Sequence, residues 1–170
     1  MECKLENITV YYEIFGEGYP ILTIHGWPVD HRIMKGCMEP IFETRPNYKR
    51  IYFDQPGMGK TKGEDWIKDT DDYLKIIMIF LEKVRENYAF SFNVDLSNEK
   101  FDKPALFLLG RQNSNVGYRD AWEIIENYPR ATFAILDTAG HILQIEQEEL
   151  FNALTNDWLD RVESFLKKSI

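Results

Sequence analysis

The side chains of this chain that could do chemistry gather in four short loops. His25-Gly26-Trp27-Pro28, Asp54-Gln55-Pro56-Gly57-Met58-Gly59, Gly110-Arg111-Gln112-Asn113-Ser114 and Asp137-Thr138-Ala139-Gly140-His141 each follow a short apolar run. An imidazole at His25 or His141 can take up and return a proton, and a hydroxyl or thiol beside such a base can attack an electrophile. Nucleophilic hydrolysis on a parallel sheet uses a nucleophile on a sharp strand-to-helix turn, G-x-S-x-G, with an acid and a His later in the chain. None of the ten glycines begins a G-x-S-x-G, G-x-C-x-G or G-x-D-x-G. Ser114, Ser91 and Cys37 are the candidates for a substitute nucleophile, although a loop serine is usually a turn residue. Asp120 and Asp137, the carboxylates nearest these loops in sequence, read as a helix-start charge and a strand-end turn residue.

Two other chemistries fit poorly. Pro56-Gly57-Met58-Gly59-Lys60-Thr61 superficially matches a phosphate-binding loop, but Asp54 stands where the first Gly belongs and Gly63 follows where a helix should begin. The three histidines, 25, 31 and 141, show no ligand spacing such as H-x-x-x-H, so no metal site and no cofactor are expected.

The elements that must position these loops are legible from periodicity. Ile8, Val10, Tyr12 and Ile14 alternate with Thr9, Tyr11, Glu13 and Phe15, the pattern of a strand with one buried face. Near-continuous apolar runs at 21–24, 51–53, 105–109 and 131–136 suit parallel strands covered on both sides. Helical stripes are read at Ile33, Met34, Cys37, Met38, Ile41 and Phe42, and at Leu74, Ile77, Leu81, Val84 and Tyr88 behind Asp69, Asp71 and Asp72. A third stripe runs over Ala121, Ile124, Ile125 and Tyr128. The last spans Glu148 to about Lys168, with Leu150, Leu154, Trp158, Val162 and Phe165 inside. Alternating strands and helices predict a three-layer α/β/α sandwich around a mostly parallel sheet of about six strands. The irregular stretch from about Arg85 to Pro104 is long for a compact domain.

Composition narrows the class. At 170 residues, 44% apolar and 28% charged, the chain is expected to form one globular domain over 1–170. A net charge of -8 argues against nucleic acid, and the longest uncharged apolar run, 76–81, is far short of the ~20 residues that span a bilayer. Cys3 and Cys37 read as reduced thiols of a cytoplasmic protein, and Trp27, Trp66, Trp122 and Trp158 as core or pocket-wall residues.

Taken in this order, the four loops resemble those of the α/β-hydrolase fold, in particular its epoxide-hydrolase-like and proline-iminopeptidase-like branch. The resemblance covers the chain from about Ile8 to the C-terminal helix. It implies that His25, Gly26, Trp27 and Pro28 form the substrate-binding and oxyanion loop, with the Trp27 N–H facing the oxyanion. It implies that Asp54 to Gly59 is the family's D-x-P-G-x-G loop and that His141 is the catalytic His. The family's acid position would read G-R-Q-D, and here it falls on Asn113. Asn cannot stabilise an imidazolium by charge and favours the wrong tautomer; in serine proteases the comparable change costs about 10⁴ in rate.

The nucleophile elbow and the cap are also missing from the family pattern, with the junction at 84–90. The resemblance therefore implies a reduced α/β-hydrolase fold and a serine hydrolase-like deletion variant, a pseudoenzyme derived from hydrolysis of an ester, amide or epoxide bond in a small-molecule substrate. The family's missing strand would lie beside residues 21–24. The strand at 105–109 is expected to close that gap by a right-handed crossover through the helix at 70–88. The alternative is an open edge, capped by a second copy of the chain in a homodimer or prone to aggregation. Two other functional readings stand beside the first: a noncatalytic binding or self-associating module, and a hydrolase with a substitute nucleophile.

Overall fold

The computed structural model describes residues 1–84 and 100–168, which fall into two compact units within Met1–Ser91 and Phe92–Ile170. The first unit holds β1 (Glu2–Lys4), β2 (Thr9–Phe15), β3 (Tyr19–Ile24), α1 (His31–Phe42), β4 (Tyr48–Phe53) and α2 (Thr70–Val84). Its sheet runs β1-β2-β4-β3, antiparallel at β1–β2 and β2–β4 and parallel at β3–β4. The pleat of β4 sorts the layers, because alternate side chains leave opposite faces. Ile51 and Phe53 join Leu5, Ile8, Val10, Ile76 and Phe80 in one core under α2. On the other face, Tyr48 meets Phe42 of α1 at 5.4 Å, while Arg50 and the Tyr52 hydroxyl both donate to Glu39. The unit is thus α2, sheet, α1.

Both helices start where the sequence supplies an acceptor. Asp30 accepts the Arg32 N–H at 3.0 Å, and Asp69 accepts those of Asp71 and Asp72 at 3.0 and 3.1 Å, so orphan donors of the first turn are satisfied. The inner face of α2 differs from the expected stripe: Ile76 and Phe80 are buried, and Leu74 is 56% exposed. Phe80 sets the phase, its ring lying 5.2 Å from Tyr12 and 4.9 Å from Phe53. Tyr88 and the rest of the expected junction beyond Val84 lie outside the described residues, as does most of the long stretch 85–104.

The second unit holds β5 (Ala105–Gly110), two 3₁₀ turns (Asp120–Trp122 and Ile125–Asn127), β6 (Ala131–Leu136), α3 (Leu143–Glu146) and α4 (Glu148–Lys168). β5 and β6 pair in parallel, and Phe107 stacks on Phe133 at 4.5 Å across the ladder. α4 is tied to this pair by polar side chains reaching backbone: Trp158 Nε1–H donates to Pro104 O at 3.0 Å, and Arg161 donates to Arg130 O at 3.1 Å and to Thr132 Oγ1 at 2.9 Å. Its bounds match the sequence reading, but its buried centre is Thr155 and Leu159, with Leu150 exposed.

Four expectations need correction. The six strands do not form one mostly parallel sheet: they divide into a four-stranded mixed sheet and a two-stranded parallel one. Residues 21–24 pair only with β4, so the expected ladder with 105–109 is absent among the described residues. Within the first unit, the buried residues Ile76 and Phe80 of α2 pack with Val10, Ile51 and Phe53 of β2 and β4. The expected third helix is two 3₁₀ turns, its apolar residues too few and too exposed to dock a full helix, with Trp122 at 51% and Ile124 at 37%. Trp27 and Trp66 likewise stand exposed, at 75% and 40%, the Trp66 indole N–H donating to Asn7 O at 3.4 Å, while Trp158 is half-buried and tied to Pro104 O.

Candidate functional site

In the first unit the loops after β3 and β4 are bound to each other around Asp54. This carboxylate is fully buried. Its Oδ1 accepts the backbone N–H of His31 at 2.9 Å and the ring Nδ1–H of His31 at 2.7 Å, and its Oδ2 accepts the Lys60 N–H at 2.9 Å. One side chain at the end of β4 therefore holds the first residue of α1 and folds its own loop back on itself. Gly59 is required by that geometry: its φ is +56°, and a Cβ there would lie 2.3 Å from Asp54 Oδ2.

His25 is buried too, and its ring is engaged at both nitrogens. Nε2 accepts the Gln55 N–H at 3.0 Å, so the proton sits on Nδ1, which donates to Gly26 O at 2.8 Å. The Gln55 side-chain amide donates to His25 O. His25 acts here as a brace between the two loops. Gly26, Trp27 and Pro28, which follow it, are exposed at the loop tip.

The structure adds a network that the sequence reading missed. His31 Nε2 lies 3.3 Å from Glu13 Oε1, while Glu13 accepts from Lys35 Nζ and from the Tyr11 hydroxyl, both at 2.9 Å. Lys60 Nζ sits 4.2 Å above the Tyr11 ring. The Lys35 hydrogen bond holds the Glu13 carboxyl down to about 2. The hydrogen bond from Arg32 holds Asp30 well below the usual carboxylate range. A sequence signal existed in the pleat of β2, which puts Glu13 on the face opposite Ile14, toward α1.

Asp30, His31 and Asp54 could each offer an atom to a metal ion, all within 4.8 Å of one another. Those atoms already serve protein donors: Arg32 on Asp30, and His31 and Lys60 on Asp54. The phosphate-loop reading also fails here, since no helix begins at Gly59–Thr61 and the Lys60 N–H is spent on Asp54.

In the second unit the loops after β5 and β6 are stitched by backbone. Arg111 N–H donates to Leu136 O and Gln112 N–H to Ala139 O, both at 2.9 Å. Gly110 permits this approach, because a Cβ there would lie 2.2 Å from Gly140 O. Glu146 in α3 accepts the Gly140 N–H and fixes the loop before His141. These bonds place Asn113 against His141, with Asn113 Nδ2 at 3.3 Å from His141 Nδ1.

Asp137 is exposed and 3.7 Å from Arg111, and Asp120 opens a 3₁₀ turn, so both have the local roles expected of them. Ser114 is exposed, and among the described residues no hydrogen bond joins it to His141. Cys37 lies within α1 of the first unit, and Ser91 lies outside the described residues.

Comparison with known proteins locates this geometry in a fold family. No family model matches the chain. It is 29% identical over 76 residues to AB hydrolase superfamily protein YisY of Bacillus subtilis, a match covering 42% of this chain and 28% of that protein. It is 33% identical over 60 residues to a pimeloyl-[acyl-carrier protein] methyl ester esterase of Legionella pneumophila, covering 35% of this chain and 23% of that one. The chain thus spans about a quarter of the length of these curated relatives. An alpha/beta superfamily hydrolase from Oenococcus oeni superposes with a TM-score of 0.79 at 17% identity, over 96% of this chain and 99% of that one. The chain has the α/β-hydrolase fold, with a sheet smaller than six strands, and its relatives and structural neighbours are hydrolases and esterases.

Proposed function

We propose that this chain descends from enzymes that hydrolyse an ester, amide or epoxide bond in a small molecule and that it retains little or none of that activity. The observation that carries the reading is the pair Asn113–His141. It occupies the acid and base positions of the family, yet Asn brings no charge to an imidazolium. In the ancestral reaction a nucleophile attacks the substrate, the Trp27 N–H stabilises the oxyanion, and His141 activates water to release the product. Here no G-x-S-x-G elbow precedes them. The missing elbow and cap make the chain a deletion variant under this reading, with 1–170 acting as one reduced domain. No cofactor takes part.

The two cysteines, neither in a disulfide, suit a reducing cytoplasm, and among the described residues no helix is long and apolar enough to cross a membrane. Labelling with a fluorophosphonate probe tests the missing nucleophile. No stoichiometric label is expected, and labelling lost on Ser114→Ala would instead support the substitute-nucleophile reading.

A second reading, a noncatalytic self-associating module, is favoured by one observation. β3 pairs on one edge only among the described residues, and Tyr19 and Ile24 along it are 43% and 40% exposed. An edge of this kind can take a strand from a second copy. Sedimentation equilibrium separates the two readings: a homodimer converted to monomer by Ile24→Lys supports self-association, and a wild-type monomer removes it.

A further inference from the structure

We infer that Asn113 fixes His141 as the Nε2–H tautomer and so converts the family's base into a hydrogen-bond donor. The inference rests on the proposed function only in taking His141 as the base position. Its ground is the way the Asn113 amide is held. Asn113 Oδ1 accepts the N–H of Asn115 at 3.0 Å and that of Val116 at 3.1 Å. Two backbone donors on one oxygen settle which end of the amide points where, since the NH₂ end has nothing to accept with. The NH₂ group therefore faces His141 Nδ1 at 3.3 Å. A donor facing Nδ1 needs a lone pair there, so in the neutral ring the proton resides on Nε2.

That proton blocks base chemistry. A general base takes the nucleophile's proton on the nitrogen remote from the acid, and in His141 that nitrogen, Nε2, already carries one. Rotating the amide to offer Oδ1 to His141 would turn its NH₂ group toward the N–H groups of Asn115 and Val116 and leave both unaccepted. The turn and the tautomer are coupled. Asn113 is thus a positioning residue, acting through His141 and not on a substrate.

Asp at 113 is the discriminating change, because one carboxylate oxygen can still accept from Asn115 and Val116 while the other accepts from Nδ1–H. The measurement is a long-range ¹H–¹⁵N correlation spectrum of the imidazole rings of the intact chain, taken at about pH 8.5, well above the ordinary imidazole value of about 6.5. His141→Gln assigns the His141 signals, and His25, held as Nδ1–H, supplies the opposite pattern within the same spectrum.

The expected result is Nε2–H for His141 in the wild type and a switch to Nδ1–H in Asn113→Asp. Nδ1–H in the wild type, comparable populations of both forms, or a folded Asn113→Asp chain that stays Nε2–H would each overturn the inference. Should Asn113→Asp fail to fold, Asn113→Ala decides: an Nδ1–H population that appears when the amide is removed supports the inference, and a tautomer balance unchanged from the wild type overturns it. Ester turnover by the wild type would count against the proposed loss of activity, and it is read in a separate assay from the tautomer.

Discussion

At the residue scale, Asp54 illustrates how one buried carboxylate can organise two loops. Replacing it by Ala removes the acceptor from the buried N–H and ring of His31 and from the part-buried N–H of Lys60. Asp54→Ala is expected to lower the unfolding free energy by about 3 kcal/mol, read as a fall in urea midpoint at unchanged slope. A loss under about 1 kcal/mol would mean the loop holds itself without the carboxylate. Glu13 supplies a pH dependence with a definite sign. Its carboxyl is drawn from an ordinary 4.5 down to about 2, chiefly by the Lys35 hydrogen bond, so the folded form binds protons less readily than the unfolded one. The stability it contributes is present in full above pH 4.5 and is lost as the pH falls through about 2. Urea midpoints measured against pH should fall less steeply over that window in Glu13→Gln than in the wild type. Equal slopes would remove Glu13 as the source.

At the scale of elements, the core of the first unit depends on how α2 docks. Phe80 is fully buried between Tyr12 and Phe53, and truncating such a ring costs about 3–5 kcal/mol. Phe80→Ala is expected in that range by urea unfolding, while Leu74→Ser, on the exposed side of the same helix, should fall within about 0.5 kcal/mol of wild type. Equal losses would mean that the helix docks by its Leu74 face. These substitutions also mark what the sequence could and could not reveal. The runs 21–24, 51–53, 105–109 and 131–136 are readable as strands because each is a short, nearly continuous apolar string bounded by turn residues. α4 is readable because its stripe and flanking charges agree. The phase of α2 is not, since Leu74, Ile76, Ile77, Met78, Ile79, Phe80 and Leu81 offer apolar residues on nearly every side. Only packing on Tyr12 and Phe53 chooses among them. β1 escapes because three residues, Glu2 to Lys4, carry no period.

At the scale of the whole molecule, the order of the four loops along the chain carries more information than any one of them. It points to the hydrolase fold that the comparisons support, and to His141 and Asn113, which the structure brings within 3.3 Å. The His31 to Glu13 network remained hidden, because its members come from β2, α1 and the end of β4 and meet only when those elements pack. The described strands form a four-stranded mixed sheet and a two-stranded parallel one in place of the expected six-stranded sheet, because the apolar runs mark strands without marking their partners.

The central claim, that hydrolysis has been lost, is tested most directly by the initial rate of p-nitrophenyl acetate hydrolysis, wild type against His141→Ala, at equal concentrations of folded protein. Both proteins are expected to match each other at a rate near that of buffer. Turnover well above buffer that disappears in His141→Ala would contradict the claim and would require a working nucleophile within reach of His141.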